Sequence, residues 1–279
     1  MTPSGQSGTS ARKLLLTTLA ALAAALTTFP IFWMVLISLK TQRDALSMPP
    51  RFVFTPTFDA YAAVWLKAGF VRALGNSLLV SGINLAVCLV VGLMAAYAIS
   101  RFRFRGADTI LFGMLVTRIF PPVALVTPYF LNLNWLGAQD SIAGLAVAYV
   151  AMNVPLAIWM LKGYFDAIPL ELEQCAMVDG ATRWQAATKI TLPLIAPGVA
   201  ATSVFVFVGS WNEFLFALVL TSRNARTLPT VIAEFIGDTG IEWPQIMAAS
   251  TVALAPVLIA TFFLQRHIAA GMTAGAVKG

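Results

Sequence analysis

Residues 169–197 read PLELEQCAMVDGATRWQAATKITLPLIAP, a polar and amphipathic island in a chain that is otherwise mostly apolar. Pro169 suits the first position of a helix, where its missing N–H would be unpaired anyway. Glu171 and Glu173 then place negative charge at the positive end of the helix dipole. Gly180 can take the left-handed conformation that ends a helix. Just beyond it Thr182 and Gln185 have the spacing of a capping box, which predicts a second short helix from Arg183 until Pro193 stops it. Leu172, Cys175 and Ala176 fall on one face of the first helix, and Trp184, Ala187 and Thr191 along the second. Two short helices about a glycine joint present a knob.

Outside the island the composition points to a bilayer. Of 279 residues, 59% are hydrophobic and 11% charged, against about 25% charged in a typical soluble domain. The mean hydropathy is +0.82. Apolar runs long enough to cross a membrane, about 17 to 25 residues each, lie at 14–39, 77–100, 109–131, 142–161, 198–220 and 246–264. The expected fold is therefore an all-α membrane protein with six transmembrane helices at 14–265. Its tails would be 1–13 and 266–279. Arg12 and Lys13 open the first run as a secretory signal would, but the run far exceeds the roughly 7 to 15 apolar residues of a signal, which favours an uncleaved first span. Residues 1–10, rich in Ser, Gly and Thr, read as a disordered tail.

Charge fixes the expected orientation. With the N-terminus inside, Arg12, Lys13, Arg101, Arg103, Arg105, Lys162, Arg183, Lys189, Arg266 and Lys278 are cytoplasmic, and the outer loop 132–140 has no Lys or Arg. The first outer loop, 40–76, carries five, but its length and acidic residues weaken it as a signal. Within it, Thr57 is placed to cap a short helix bearing Tyr61 and Trp65. The net charge of +6 is spread without a basic run, so nucleic acid is not an expected partner. RFRFRGAD at 101–108 reads as an anchor to lipid phosphates.

The island carries a further signal. Gly180, nine residues, then Ile190, Leu192 and Pro193, with Ala176 separated from the glycine by three residues, fit the EAA, three residues, Gly, nine residues, Ile-x-Leu-Pro pattern. Here the chain resembles the inner-membrane permeases of binding-protein-dependent ABC importers. Gln174 and Cys175 stand where the family has Glu and the first Ala, with Glu173 one residue earlier. DGAT at 179–182 and SWNEFLFAL at 210–218 look like the carbohydrate branch, in particular the MalG-like member of a heterodimeric pair. The resemblance implies a type I ABC importer permease fold in which 166–197 is a cytoplasmic coupling-helix loop. Glu173, Gln174, Cys175, Ala176, Asp179, Gly180, Ala181, Ile190, Leu192 and Pro193 would meet the ATPase. It also implies a MalF-like second permease, two ATP-binding subunits holding ATP and Mg, an extracytoplasmic sugar-binding protein, and a place in the bacterial inner membrane with both termini cytoplasmic. The tail GMTAGAVKG, flexible by composition, would insert between the ATP-binding subunits.

Candidate translocation residues are Arg118, Asn153, Trp211, Asn212 and Glu213. A charge at mid-membrane costs about 2.5 to 3.5 kcal/mol on insertion scales, so Arg118 should face protein or water. Whether it touches substrate or pairs inside the bundle stays open. An indole beside an amide and a carboxylate is what sugar recognition uses, yet Glu213 would equally pair with Arg118 or bond across helices. The fourth run contains Asn153 and Pro155.

No P-loop, no dinucleotide fingerprint and no nucleophile with a base in reach is found, and a lone His267 does not build a zinc site. The chain is not expected to be an enzyme or to bind a cofactor. Cys88 and Cys175 offer no disulfide framework and read as small packing residues. Two other readings remain: an ion-coupled secondary transporter, which would show repeated halves with broken helices, and a non-transporting membrane assembly subunit.

Overall fold

The computed structural model describes residues 6–102, 104–237 and 240–276, with side chains over 12–263 apart from Arg103, Asp238 and Thr239. The side chains of Arg266 and His267, and the last three tail residues, lie outside the described residues. So do residues 1–5 of the predicted disordered tail.

The chain is helical. In order come α1 (Gln6–Ser38), α2 (Gln42–Ala45), α3 (Asp59–Leu66), α4 (Phe70–Phe102), α5 (Ala107–Val116), α6 (Pro122–Trp135) and α7 (Ile142–Asp166). The island follows with α8 (Leu170–Val178), α9 (Arg183–Ala186), a π-helical turn (Ala187–Thr191) and α10 (Leu192–Leu194). Then come α11 (Ala196–Trp211), α12 (Leu215–Leu220), α13 (Leu228–Ala233), a two-residue-strand hairpin (Ile236–Gly237 with Gly240–Ile241) and α14 (Trp243–Ala276). The first helix begins at Gln6 and the last ends at Ala276, so helix reaches into both stretches that composition marks as tails.

Among the described residues four helices are long and apolar enough to cross a membrane: Arg12–Ser38, Phe70–Phe102, Ile142–Asp166 and Trp243–Phe263. A bent pair, Arg183–Leu194 with Ala196–Trp211 at 72°, makes up to five. Two of the six predicted runs are broken. The run at 109–131 splits because Pro121 and Pro122 supply no N–H, and a residue before proline avoids helical geometry. Pro121 is accordingly extended, with ψ 133°, and α6 starts at Pro122. The run at 198–220 stops at Trp211 and resumes at Leu215.

The chain divides into two compact units. The first comprises Met1–Lys67 and Glu234–Val252. From Leu14 onward its α1 is mostly apolar, with Leu14, Leu22 and Leu26 exposed, as befits a lipid-facing helix. At the end of α1, Lys40 is buried, donates to the Arg51 carbonyl at 2.7 Å and lies 5.3 Å from the Trp33 ring and 5.0 Å from that of Phe54. Ser38 and the Tyr61 hydroxyl share a 2.8 Å hydrogen bond, and Thr57 accepts from the Asp59 N–H at the start of α3. The predicted short helix is therefore present in the first loop, with Phe58 rather than Thr57 at its N-cap position.

The second unit, Ala68–Ala233 with Ala253–Gly279, carries the island. Its centre is α4 packed along α7. Gly92 permits the approach, since a Cβ there would stand 3.3 Å from the Ala157 Cβ and 3.1 Å from Leu161 Cδ1. Cys88, Ala157 and Val206 pack at the junction of α4, α7 and α11. Tyr149, Phe216 and Leu220 fill one end of the unit, and Ile158, Leu161, Phe165 and Ile195 the other.

Candidate functional site

The island forms as its residues dictate. Helix α8 opens after Pro169, whose extended backbone serves as N-cap, with Glu171 and Glu173 in the first turn. It closes on Gly180 at φ +91°, where the Gly180 N–H reaches the Met177 carbonyl and the Ala181 N–H the Ala176 carbonyl. That pair of bonds is the Schellman closure, which needs a left-handed residue. Thr182 then accepts from the Gln185 N–H at 3.2 Å while the Gln185 side chain accepts from the Thr182 N–H at 2.8 Å, completing the capping box.

Pro193 does not stop the second helix; it reshapes it. With no N–H of its own, Pro193 leaves the Lys189 carbonyl without its usual partner, and its ring would press on that carbonyl in an α-helix. The turn widens instead, and the Leu192 N–H bonds back five residues to the Ala187 carbonyl. One extra residue in a turn offsets every residue after it, and Thr191 ends up buried and facing α8. The chain turns at Ile195, and α11 leaves at 72° to the second island helix.

Glu173 faces inward. It is 2% exposed, and its carboxylate accepts from Arg101 Nε at 2.7 Å, Thr191 Oγ1 at 2.7 Å and the Tyr97 hydroxyl at 2.9 Å. Burial pushes this carboxyl up, but hydrogen bonds from Thr191, Arg101 and Tyr97 outweigh it and hold the group below the ordinary glutamate range. Arg101 also donates to the Ile168 carbonyl at 3.3 Å. The basic turn is thus not simply a lipid anchor: its first arginine is an internal ion pair, Arg105 is exposed, and Arg103 lies outside the described residues.

The remaining motif positions distribute by helix face. Gln174, Cys175, Asp179 and Gly180 are exposed, as are Leu192 and Pro193, while Ala176, Ala181 and Ile190 are half-buried. Cys175 is therefore a surface thiol and not a packing residue, whereas Cys88 is buried. The outward apolar surface is supplied by Val178, 87% exposed, and Trp184, 75% exposed.

The candidate path residues do not form one constellation. Arg118 sits in the break between α5 and α6, donates to the Met152 carbonyl of α7 at 2.9 Å, and borders a cavity of about 430 Å3 with Phe120, Tyr129 and Met152. Glu213 is not its partner: its two carboxylate oxygens accept from the Phe216 and Ala217 N–H groups at 2.9 and 3.1 Å, capping α12 after the break. Trp211 is buried, stacks on Phe207 and donates its indole N–H to the Ala253 carbonyl at 3.1 Å. Asn153 donates to the Tyr149 carbonyl and lies against Gly209, and Asn212 is exposed.

One anchor escaped the sequence reading. Asp140, a non-glycine at φ +52°, accepts through its carboxylate from the backbone N–H groups of Ser222, Arg223, Asn224 and Ala225, between 2.9 and 3.1 Å. Burial pushes its carboxyl up, but these four donors prevail and hold it well below the usual aspartate range. The loop it grips also receives Asn76 Nδ2 at the Asn224 and Arg226 carbonyls. An Asp after AQ in a predicted outer loop is the only signal in the chain, and it does not name the partner. No group of three or more His, Cys, Asp or Glu placed to hold a metal occurs among the described residues.

The architecture is that of a polytopic helical membrane protein with a structured polar loop. The family described as binding-protein-dependent transport system inner membrane component matches residues 88–274. The trehalose transport system permease protein SugB of Mycobacterium tuberculosis is 38% identical, over 90% of this chain and 92% of that one. The trehalose/maltose transport system permease protein MalG of Thermococcus litoralis is 36% identical, over 96% and 98%. Among solved structures, a bacterial ABC transporter involved in the import of the acidic polysaccharide alginate superposes with a TM-score of 0.71, at 22% identity over 95% of this chain and 99% of that one. The chain belongs to the binding-protein-dependent transport system inner membrane components, the permeases of ABC transporters.

Proposed function

We propose that this chain is one of two permease subunits of an ATP-driven sugar importer in a bacterial inner membrane. Its cargo is an oligosaccharide or disaccharide before a polyol or a glycerol-phosphate type of compound, a reading supported by relatives named for trehalose and maltose. In this reading α5 with α6 and α11 with α12 are broken crossings, which with α1, α4, α7 and α14 make six and leave both termini in the cytoplasm. A MalF-like second permease completes the path, and a binding protein delivers sugar from outside. Two ATP-binding subunits hold ATP and Mg and carry out hydrolysis.

The observation that carries the proposal is the island itself: two short capped helices about left-handed Gly180, with Val178 and Trp184 turned outward and Glu173 turned inward. Residues 166–197 act as the coupling loop, with Gln174, Cys175, Asp179 and Gly180 on the surface offered to the ATPase. Force from ATP-driven closure enters through this knob and reaches the spans through the 72° turn into α11. The test is ATP hydrolysis by the assembled complex, scanned over maltose, trehalose, other glucosides and polyols. Stimulation by one sugar only when the binding protein is present supports the proposal; hydrolysis indifferent to every sugar contradicts the cargo.

A further inference from the structure

A single buried carboxylate gathers donors from two separate parts of the second unit. Tyr97 and Arg101, one turn apart on α4, reach Glu173 from one side, and Thr191 of the π turn reaches it from the other. Arg101 lies against Ser100, whose hydroxyl donates to Asp166 at 2.6 Å, and Lys162 closes that side from α7 at 2.7 Å. The polar chain therefore runs from α7 through α4 and α8 to the turn before α10.

We propose that Glu173 is a positioning residue for transport, tying both island helices to the end of α4 through Arg101, Tyr97 and Thr191, so that a displacement of the knob moves α4 with it. The proposal rests on the importer reading above. It differs from a docking role for Glu173, because the carboxylate is turned from the surface that would meet an ATPase. Two physical points favour a brace over a general contribution to stability. A buried ion pair is a poor means of stabilising a fold compared with apolar packing, but it specifies one geometry and resists sliding. The island helices, Leu170–Val178 and Arg183–Leu194 with its π turn, are also too short to hold a shape alone, so a knob that transmits displacement needs a fastening to something longer. Among the described side chains α4 offers it with Tyr97 and Arg101, at the end of a 33-residue helix.

The test uses the complete importer, with partner permease, ATP-binding subunits and binding protein, in proteoliposomes. Sugar transported per ATP hydrolysed is measured for wild type, Glu173→Gln, and the exchange Glu173→Arg with Arg101→Glu. For Glu173→Gln the ratio is expected to fall on the order of tenfold, and the exchange is expected to recover part of the loss, which a side chain that only fills space would not do. If Glu173→Gln fails to assemble, Tyr97→Phe and Thr191→Val each remove one donor and leave the ion pair; each is expected to lower the ratio severalfold. An unchanged ratio in assembled Glu173→Gln, or in both single-donor variants, overturns the proposal. Wild-type complex without ATP-driven uptake overturns the importer reading instead, so the two failures are distinguishable.

Discussion

Arg101 Nε stands 2.7 Å from Glu173 Oε1, and the two side chains are only 6% and 3% exposed. This pair makes the island part of the helical body, since Arg101 belongs to α4 and Glu173 to α8.

The pair has a pH signature. The folded-state pKa of Glu173 is depressed, so its contribution to stability is fully present above the unfolded value of about 4.3 and is lost as pH falls through the folded value. The groups facing it are Arg101, Tyr97 and Thr191, with Asp166 beyond Ser100. The Tm of the detergent-solubilised protein is expected to fall as pH drops below about 4.3, and Glu173→Gln is expected to flatten that slope.

Gly198 of α11 packs against the Tyr164 ring of α7, and an added Cβ would fall inside the ring's van der Waals envelope. Gly198→Ala is expected to cost about 1 to 3 kcal/mol, the usual penalty for overfilling a packed contact. Gly163, one residue from Tyr164 on the same helix, faces open space. Gly163→Ala should instead stabilise by up to about 1 kcal/mol through helix propensity. Opposite Tm shifts for the two substitutions check the contact.

Asp140 binds four consecutive N–H groups of the 222–225 segment. Asp140→Ala removes every acceptor at once. Amide hydrogen exchange at 222–225 is expected to accelerate by an order of magnitude or more, the equivalent of losing about one hydrogen bond to a charged group. Exchange in α4 and α7 should stay the same.

Gly180 at φ +91° has open space around it, so a substitution there tests backbone conformation alone. Gly180→Val puts a β-branched residue where only glycine is at ease. Sugar-stimulated ATP hydrolysis is expected to fall while the protein remains in the membrane. Trp184→Ala, which leaves the backbone intact and strips the exposed indole, is expected to weaken association with the ATP-binding subunits, with about 2 kcal/mol as the scale for a central aromatic anchor.

Much of the island was legible because its signals are local. Gly180 and the Thr182 and Gln185 box each act within a few residues and are realised, and the helix starts one residue after the position expected for Pro169, which serves as its N-cap. Pro193 departs from the expected helix stop for a physical reason: a proline can widen a turn as well as end a helix, and local pattern does not decide between the two. The breaks at Pro121 and at Glu213 interrupt runs that are apolar throughout, so hydropathy averages across them. What the sequence withheld is pairing at a distance. Arg101 with Glu173, Arg118 with the Met152 carbonyl and Asp140 with the 222–225 segment join residues between 34 and 85 positions apart, and residue type alone offers each several equivalent partners.

If ATP, and no ion gradient, drives sugar through this permease, sugar accumulates in proteoliposomes holding the complete complex and ATP, with the binding protein outside and ionophores present to collapse every gradient. Accumulation that persists with ionophores and stops when ATP or the binding protein is withdrawn is the expected result. Uptake that needs an imposed ion gradient, or that proceeds without ATP, would make this chain part of an ion-coupled transporter instead.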